Sequence, residues 1–95
     1  MTAAVDRRLL LLSEQDNVVV ALVNLKQGDV VCIDGHEVSM RAGAPLGFKI
    51  ARNGLAAGDK VFKYGAAIGS ATAAIARGDV VHLHNMKSDY LPTHS

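Results

Sequence analysis

The stretch LKQGDVVCIDG, residues 25–35, returns twice in related form, as LAAGDKVFKYG at 55–65 and IARGDVVHLHN at 75–85. Each copy has a Leu or Ile, two further residues, Gly-Asp, one residue and Val. Glycine accepts a positive φ without steric cost, and aspartate hydrogen-bonds to nearby backbone groups. The pattern therefore predicts a tight turn that opens a β-strand. The copies begin 30 and 20 residues apart, which is too uneven for a solenoid, so we expect one compact fold that reuses a single turn.

Most of the remaining chain also favours β-strands. The β-branched run NVVVALVNL, residues 17–25, is typical of a buried strand. HEVSM at 36–40 is expected to pair with VVCID across a turn at Asp34-Gly35, and a short strand is expected at 48–51, after Pro45 and Gly47. Only GSATAAIA, residues 69–76, favours a helix, and it is too short to form one alone. We predict a small all-β domain with tight Gly-Asp turns and at most short helical turns.

Composition restricts the class of protein. The chain has 95 residues, enough for one domain, and 49% of them are hydrophobic but only 4% aromatic, so the core must be aliphatic. A formal net charge of +1 gives no electrostatic reason to expect nucleic acid or a membrane as partner. The lone Cys32 fits a reducing compartment. Four leucines after Arg8 are too few for a signal peptide or a membrane helix, so we expect a cytoplasmic protein.

The domain boundaries follow from these patterns. Residues 1–15 are expected to form a charged lead-in and the start of the first strand. Residues 16–88 hold the predicted turns and strands and form the domain itself. Residues 89–95 are polar and contain a proline, which is typical of a tail or linker.

Four stretches occur in an order and spacing that resemble a known family: DNVVVALVNLKQGD (16–29), PLGFKIA (45–51), GDKVFKYGAAIGSAT (58–72) and GDVVHLHNMKS (78–88). They resemble the N-terminal or small-subunit module of the altronate dehydratase family, a SAF domain with the β-clip fold. Family members are hydro-lyases that act on sugar acids such as altronate and galactarate. A related branch, the sulfolactate sulfo-lyases, expels sulfite instead of water. In several members the SAF module is a separate small polypeptide that pairs with a large catalytic subunit.

The resemblance implies a function that needs a second chain. It implies the small subunit of a hydro-lyase that dehydrates a sugar acid together with a large catalytic subunit, in a complex holding a divalent metal such as iron. A homo-oligomer is a further possible arrangement. The alternatives are the small subunit of a sulfolactate sulfo-lyase and a non-catalytic SAF module for binding or assembly. The family commonly has a histidine where this chain has Phe48. The departure implies either the loss of one functional group, with an altered substrate preference or a divergent paralogue, or a packing role for Phe48.

His82 and His84 are the main candidates for a catalytic or metal-binding role. On a strand, residues two apart share a face, so both imidazoles would point one way while Val81 and Leu83 point the other. At about 6 to 7 Å apart they can converge on one metal ion or one substrate group. The alternative is an exposed polar face of an edge strand. Asn85 either donates to a substrate carboxylate or hydroxyl, or ends the strand in a turn.

Aligning the repeats extends this candidate set. Phe62 and Tyr64 occupy the positions of His82 and His84, so they would share a face while Lys63 points opposite. Lys49, Lys63 and Tyr64 are candidate substrate-binding residues, although a lysine more often lies in solvent with its stem over apolar surface. His36, in a turn, and His94, in the tail, are taken as surface histidines.

The chemistry of dehydration explains why histidines would be useful. The reaction removes a weakly acidic proton α to a carboxylate, so it needs a base, a group that stabilises the new negative charge and an acid for the departing hydroxyl. Histidine suits either proton-transfer role near neutral pH. The chain has no cluster of acidic residues or cysteines that would complete a metal site. We therefore expect a contributing half-site and no activity from this chain alone.

Overall fold

The computed structural model describes residues 6–89, so residues 1–5 of the lead-in and 90–95 of the tail, with His94, lie outside the described residues. Within 6–89 the chain forms strands and no helix, which confirms the all-β prediction and leaves no helix able to span a membrane. The strands are β1 (Leu9–Leu10), β2 (Val18–Ala21), β3 (Val30–Ile33), β4 (His36–Ser39), β5 (Lys49–Ala51), β6 (Lys60–Lys63), β7 (Ala66–Ala71), β8 (Val80–Val81) and β9 (Met86–Lys87).

These strands form three antiparallel sheets. The central sheet has the order β1-β2-β5-β8, the hairpin β3-β4 stands beside it, and the third sheet has the order β6-β7-β9. The hairpin confirms the expected pairing of 36–40 with the preceding strand, with Asp34 and Gly35 both at positive φ in its turn. The prediction of one strand over 17–25 is wrong beyond Ala21, because the backbone bends there to begin the first repeated turn and exposes Leu22 and Val23.

The tight turn occurs four times in the described residues. The three Gly-Asp copies have Gly28, Gly58 and Gly78 at φ between +90° and +93°, a region that glycine occupies without strain. The fourth copy is at 44–49, before the expected short strand, with Gly47 at φ +88°.

Pro45 explains why the fourth turn has no aspartate. In the three Gly-Asp copies the aspartate carboxylate accepts a hydrogen bond from the backbone N–H three residues earlier, at 2.8 to 3.0 Å. Proline has no N–H to donate, so the fourth turn has no use for that acceptor. Phe48 stands in the aspartate's position, where it can place a large ring beside the turn.

The four turns belong to two consecutive copies of one structural unit. Residues 21–48 and 51–79 repeat the same backbone hydrogen bonds at an offset of 30 or 31 residues, the change coming at a bulge between Val61 and Phe62. The order of turns in the first unit therefore reappears in the second. Three hydrogen-bonded backbone pairs of the first unit recur in the second: Leu25–Ala44 as Leu55–Ile75, Gly28–Met40 as Gly58–Ala71, and Gly47–Ala21 as Gly78–Ala51.

Each unit has its own aliphatic core. The first cluster is built around Met40 and Ile50 and the second around Val61 and Val81, all fully buried. Neighbouring residues of β2 and of β5 belong to different clusters, because successive side chains of a strand point to opposite faces. The central sheet thus lies between the two cores, and loops of both units meet beside it.

Candidate functional site

A cleft of about 540 Å³ lies where loops of the two units meet. The first unit contributes the loop after β4 and the ring of Phe48. The second unit contributes the loop after β7, and the chain from Asp79 onward completes the wall. The lining residues are Arg41, Ala42, Gly43, Phe48, Ala73, Ala74, Asp79, Val80, His82, His84 and Asn85.

His82 and His84 both line this cleft, but they do so from a turn. The prediction of a strand through His82 and His84 is wrong: β8 ends at Val81, and Leu83, expected on the strand face opposite the histidines, is 79% exposed. The physical reason is Asn85, whose buried side chain accepts a hydrogen bond from the His82 N–H and donates one to the Val80 carbonyl, both at 2.9 Å. These bonds draw the chain into a turn that presents the two imidazoles to one concave surface.

Asn85 therefore matches the second of its two expected roles in this structure. Its amide oxygen and nitrogen both bond to the backbone of the turn. The side chain is 9% exposed and lies in the cleft wall. Its structural contribution is to fix the direction of the His82 and His84 side chains.

Phe48 packs directly against one of the two histidines. Its ring is stacked on the His82 imidazole, with centroids 4.6 Å apart and planes inclined by 29°. Offset stacking of this kind restricts the orientation of the imidazole. Phe48 thus positions His82 by packing, and brings no titratable group of its own to the cleft.

An ion pair between Arg41 and Asp79 joins the two units across the cleft. The Arg41 Nε donates to Asp79 Oδ1 at 2.9 Å, and Nη2 donates to Oδ2. Burial pushes the pKa of Asp79 upward, but the hydrogen bonds from the Arg41 side chain and the Ala76 N–H, with the nearby charge of Arg41 and a smaller electrostatic influence of His84, outweigh it and hold that pKa below its usual value. The cleft therefore holds a guanidinium, a carboxylate and an imidazole close enough to influence one another.

The other predicted site residues lie elsewhere. Lys49 and Lys63 do not line the cleft. They are near enough to each other for their two positive charges to interact. Burial lowers the pKa of Lys49, and the charge of Lys63 lowers it further. The prediction that Tyr64 shares a strand face with Phe62 is wrong, because β6 ends at Lys63 and Tyr64 sits at φ +60° in an exposed hairpin turn.

The cleft has the groups for proton transfer and anion binding but not for a complete metal centre. Within residues 6–89 no three His, Cys, Asp or Glu side chains are grouped to hold a metal ion. His82 and His84 would supply two ligands at most, and Asp79 is already bonded to Arg41. The arrangement can move a proton through an imidazole and can bind a carboxylate through those Arg41 N–H groups that do not bond to Asp79, since the Arg41 side chain is 72% exposed.

Arg41 and Phe48 are the cleft residues that the sequence did not single out for this role. Arg41 follows the first hairpin and stands 38 residues before Asp79, with no motif to connect the two. Phe48 was noted only for its departure from the family pattern. Asp79 could be located from the sequence as part of the third Gly-Asp turn, although that motif does not indicate its ion pair with Arg41.

Comparison with known proteins gives a consistent result. The profile of the altronate/galactarate dehydratase SAF domain matches residues 7–89. Altronate dehydratase of Escherichia coli (strain K12) is 43% identical over 74 residues, 78% of this chain and 15% of that protein. Altronate dehydratase of Bacillus subtilis (strain 168) is 33% identical over 76 residues, 80% of this chain and 15% of that protein. The chain thus spans about 15% of the length of these curated relatives.

Proposed function

Because this chain belongs to the altronate/galactarate dehydratase SAF-domain family, we propose that it is the small subunit of a cytoplasmic sugar-acid hydro-lyase. In this proposal a separate large chain supplies the catalytic part that the curated relatives contain in their remaining length. The all-β architecture agrees with the β-clip fold of SAF domains.

The observation that best supports this function is the composition of the cleft. It brings His82 and His84 to one surface together with Arg41, yet within residues 6–89 no three His, Cys, Asp or Glu side chains are grouped to hold a metal ion. Such a set can take part in a reaction but cannot complete one. A half-site that a large chain closes accounts for both the groups that are present and those that are missing.

Each cleft group has a task in dehydration. Arg41 binds the substrate carboxylate and disperses the negative charge that builds up when the α proton leaves. His84, exposed at the rim, and His82, held by the Phe48 ring, are the candidates for the base and for the acid that protonates the departing hydroxyl. A divalent metal such as iron, which would further stabilise that charge, would be held mainly by the large chain.

A reconstitution experiment tests this function. The companion chain is defined as the polypeptide of the same organism that matches the part of altronate dehydratase beyond this module. Turnover of altronate and galactarate is measured for the complex with the native chain, His82→Ala and His84→Ala. We expect each variant to lower turnover by about 10²-fold if its imidazole transfers a proton. His36→Ala, an exposed histidine outside the cleft, is the control.

A non-catalytic binding or assembly role is the second candidate, and one observation favours it. Position 48 is a phenylalanine in this chain, so the cleft has one titratable group fewer than the family pattern implies. This role predicts full turnover by complexes containing His82→Ala or His84→Ala. Sulfolactate, offered to the same complexes, tests the sulfo-lyase function through release of sulfite.

A further inference from the structure

Three exposed aliphatic side chains lie on adjacent loops of the first unit. Leu22 and Val23 follow β2 and are 42% and 40% exposed, and Leu46, in the fourth turn, is 61% exposed. The two loops are bonded together, because the Gly47 N–H donates to the Ala21 carbonyl and the Leu46 N–H donates to the Asn24 side chain. We refer to Leu22, Val23 and Leu46 as the apolar rim.

The second unit shows that this backbone does not require apolar residues. At the offset of 30 or 31 residues, the rim positions correspond to Arg52, Asn53 and Arg77. Those arginines bond within the domain: Arg52 pairs with Asp34 at 2.8 Å, and Arg77 donates to the Arg52 carbonyl at 2.9 Å. One unit thus has a polar surface satisfied within the chain, whereas the other leaves aliphatic groups in contact with water.

The apolar rim is close in the chain to the residues of the histidine cleft. Leu46 is two residues before Phe48, whose ring is stacked on His82 in the cleft wall. Leu83 directly follows His82 and is 79% exposed. Each residue of the stacked pair thus has an exposed apolar side chain within two positions of it in the chain.

We propose that the apolar rim is the docking surface for the companion chain, and that docking there closes the histidine cleft. This inference rests on the proposed function. The occupant follows from chain length: the curated relatives hold about 85% of their sequence beyond this module, and that part must contact the module when both act in one reaction. A second copy of this chain would repeat the 15% of the relatives' length that this chain already covers and would supply none of the remainder.

The repeat itself supplies the test variant. Leu22→Arg combined with Leu46→Arg gives the first unit the residues that the second unit has at the same backbone positions, so the fold should tolerate both changes. The companion chain is titrated against the native chain and the variant, and the dissociation constant and turnover are measured. We expect the variant to bind at least about 10-fold more weakly, since docking would bury two guanidinium groups without partners in an apolar contact. Val30→Lys, at a 52% exposed position of β3 outside the cleft where the second unit has Lys60, is the control and should bind like the native chain.

The outcomes separate this inference from the proposed function. A variant that binds and turns over substrate like the native complex overturns the docking surface and leaves the function intact. A native complex that forms but dehydrates neither altronate nor galactarate overturns the function, while the ratio of dissociation constants still decides the docking surface. If the isolated native chain sediments as a dimer and the isolated double variant sediments as a monomer, the apolar rim binds a second copy and the inference is wrong.

Discussion

At the scale of single residues, Asn85 shows how one buried amide shapes the cleft. Its two hydrogen bonds hold the turn that carries His82 and His84. Without the side chain, the His82 N–H and the Val80 carbonyl lose their partners in a mostly buried place. The positions of both imidazoles therefore depend on a residue that need not touch the substrate.

We expect Asn85→Ala to lower the free energy of unfolding by about 1 to 3 kcal/mol, the penalty for buried backbone groups left unpaired. Urea denaturation at neutral pH measures it. Asn53→Ala is the matched control, because that side chain bonds only to the neighbouring Gly54 carbonyl and its loss should change stability by less than about 0.5 kcal/mol. Equal stabilities for the native chain and Asn85→Ala would show that water replaces the amide without loss.

Asp6 fastens the start of the chain to the first hairpin. It accepts hydrogen bonds from the Arg8 side chain and backbone and from the Cys32 N–H. The Arg8 side-chain bond is the largest influence on its pKa and, despite the opposing effect of burial, the pKa of Asp6 lies far below its usual range. A carboxylate whose folded-state pKa is depressed stabilises the fold above its unfolded-state pKa, and this stabilisation is lost as the pH falls towards the folded-state value.

We therefore expect Asp6→Asn to be less stable than the native chain at neutral pH, with a constant difference down to about pH 5. Below about pH 4, where the unfolded carboxylate begins to bind a proton, the difference should shrink. Urea unfolding of both proteins at pH 7, 5, 3 and 2 measures this difference in the free energy of unfolding. A difference of the same size at pH 2 and pH 7 would mean that the ionised state of Asp6 contributes nothing.

At the scale of elements, the fourth turn depends on a left-handed backbone position. Gly47 has φ +88°, and a Cβ placed there would meet no atom within 4 Å. Gly47→Ala should therefore destabilise the chain through backbone strain alone, by about 1 to 2 kcal/mol. Gly54→Ala is the control, since Gly54 is not left-handed and its Cβ would make only an ordinary contact with the Ile75 carbonyl. Thermal unfolding of both variants decides, and equal midpoints would contradict the assignment of strain to Gly47.

The turns and hairpins were predictable from sequence because local chemistry determines them. Gly-Asp pairs located three turns, and Asp34-Gly35 located the hairpin between β3 and β4. The fourth turn was missed because it lacks the Gly-Asp pair. Pro45 has no N–H to donate to an aspartate, so Phe48 stands where the other turns have one. The strand prediction through His84 was wrong because alternation alone does not show where a strand ends. Asn85 was considered as the residue that ends it, but its side chain reaches back to the His82 N–H and the Val80 carbonyl, so the strand ends already at Val81.

At the scale of the whole molecule, the proposed division of work makes the isolated chain inactive. The cleft is open, and within residues 6–89 no metal-binding group of side chains completes it. We expect no measurable dehydration of altronate or galactarate by the pure chain with added divalent metal, and activity on addition of the companion chain. Product formation is assayed in both states. Turnover by the chain alone would contradict the half-site.

The candidate site was predictable only in part, because it is assembled from both units. His82, His84 and Asn85 lie together in sequence and were found together. Arg41 and Asp79 meet only because the turns after β4 and before β8 face each other in the folded chain. Lys49 and Lys63, chosen for their charge, lie outside the cleft, since residue type alone carries no information about which side of a sheet a strand residue faces.

The placement of the central sheet between two cores has a consequence for how the molecule opens. In β2, Val18 belongs to one aliphatic cluster and Val19 to the other, and in β5 the same is true of Ala51 and Ile50. Separating these strands would expose both clusters at once, whereas fraying of a hairpin exposes part of one. The backbone amides that bond β2 to β5 should therefore exchange with deuterium only through global unfolding. The amides of the hairpins β3-β4 and β6-β7 should exchange through smaller, local openings.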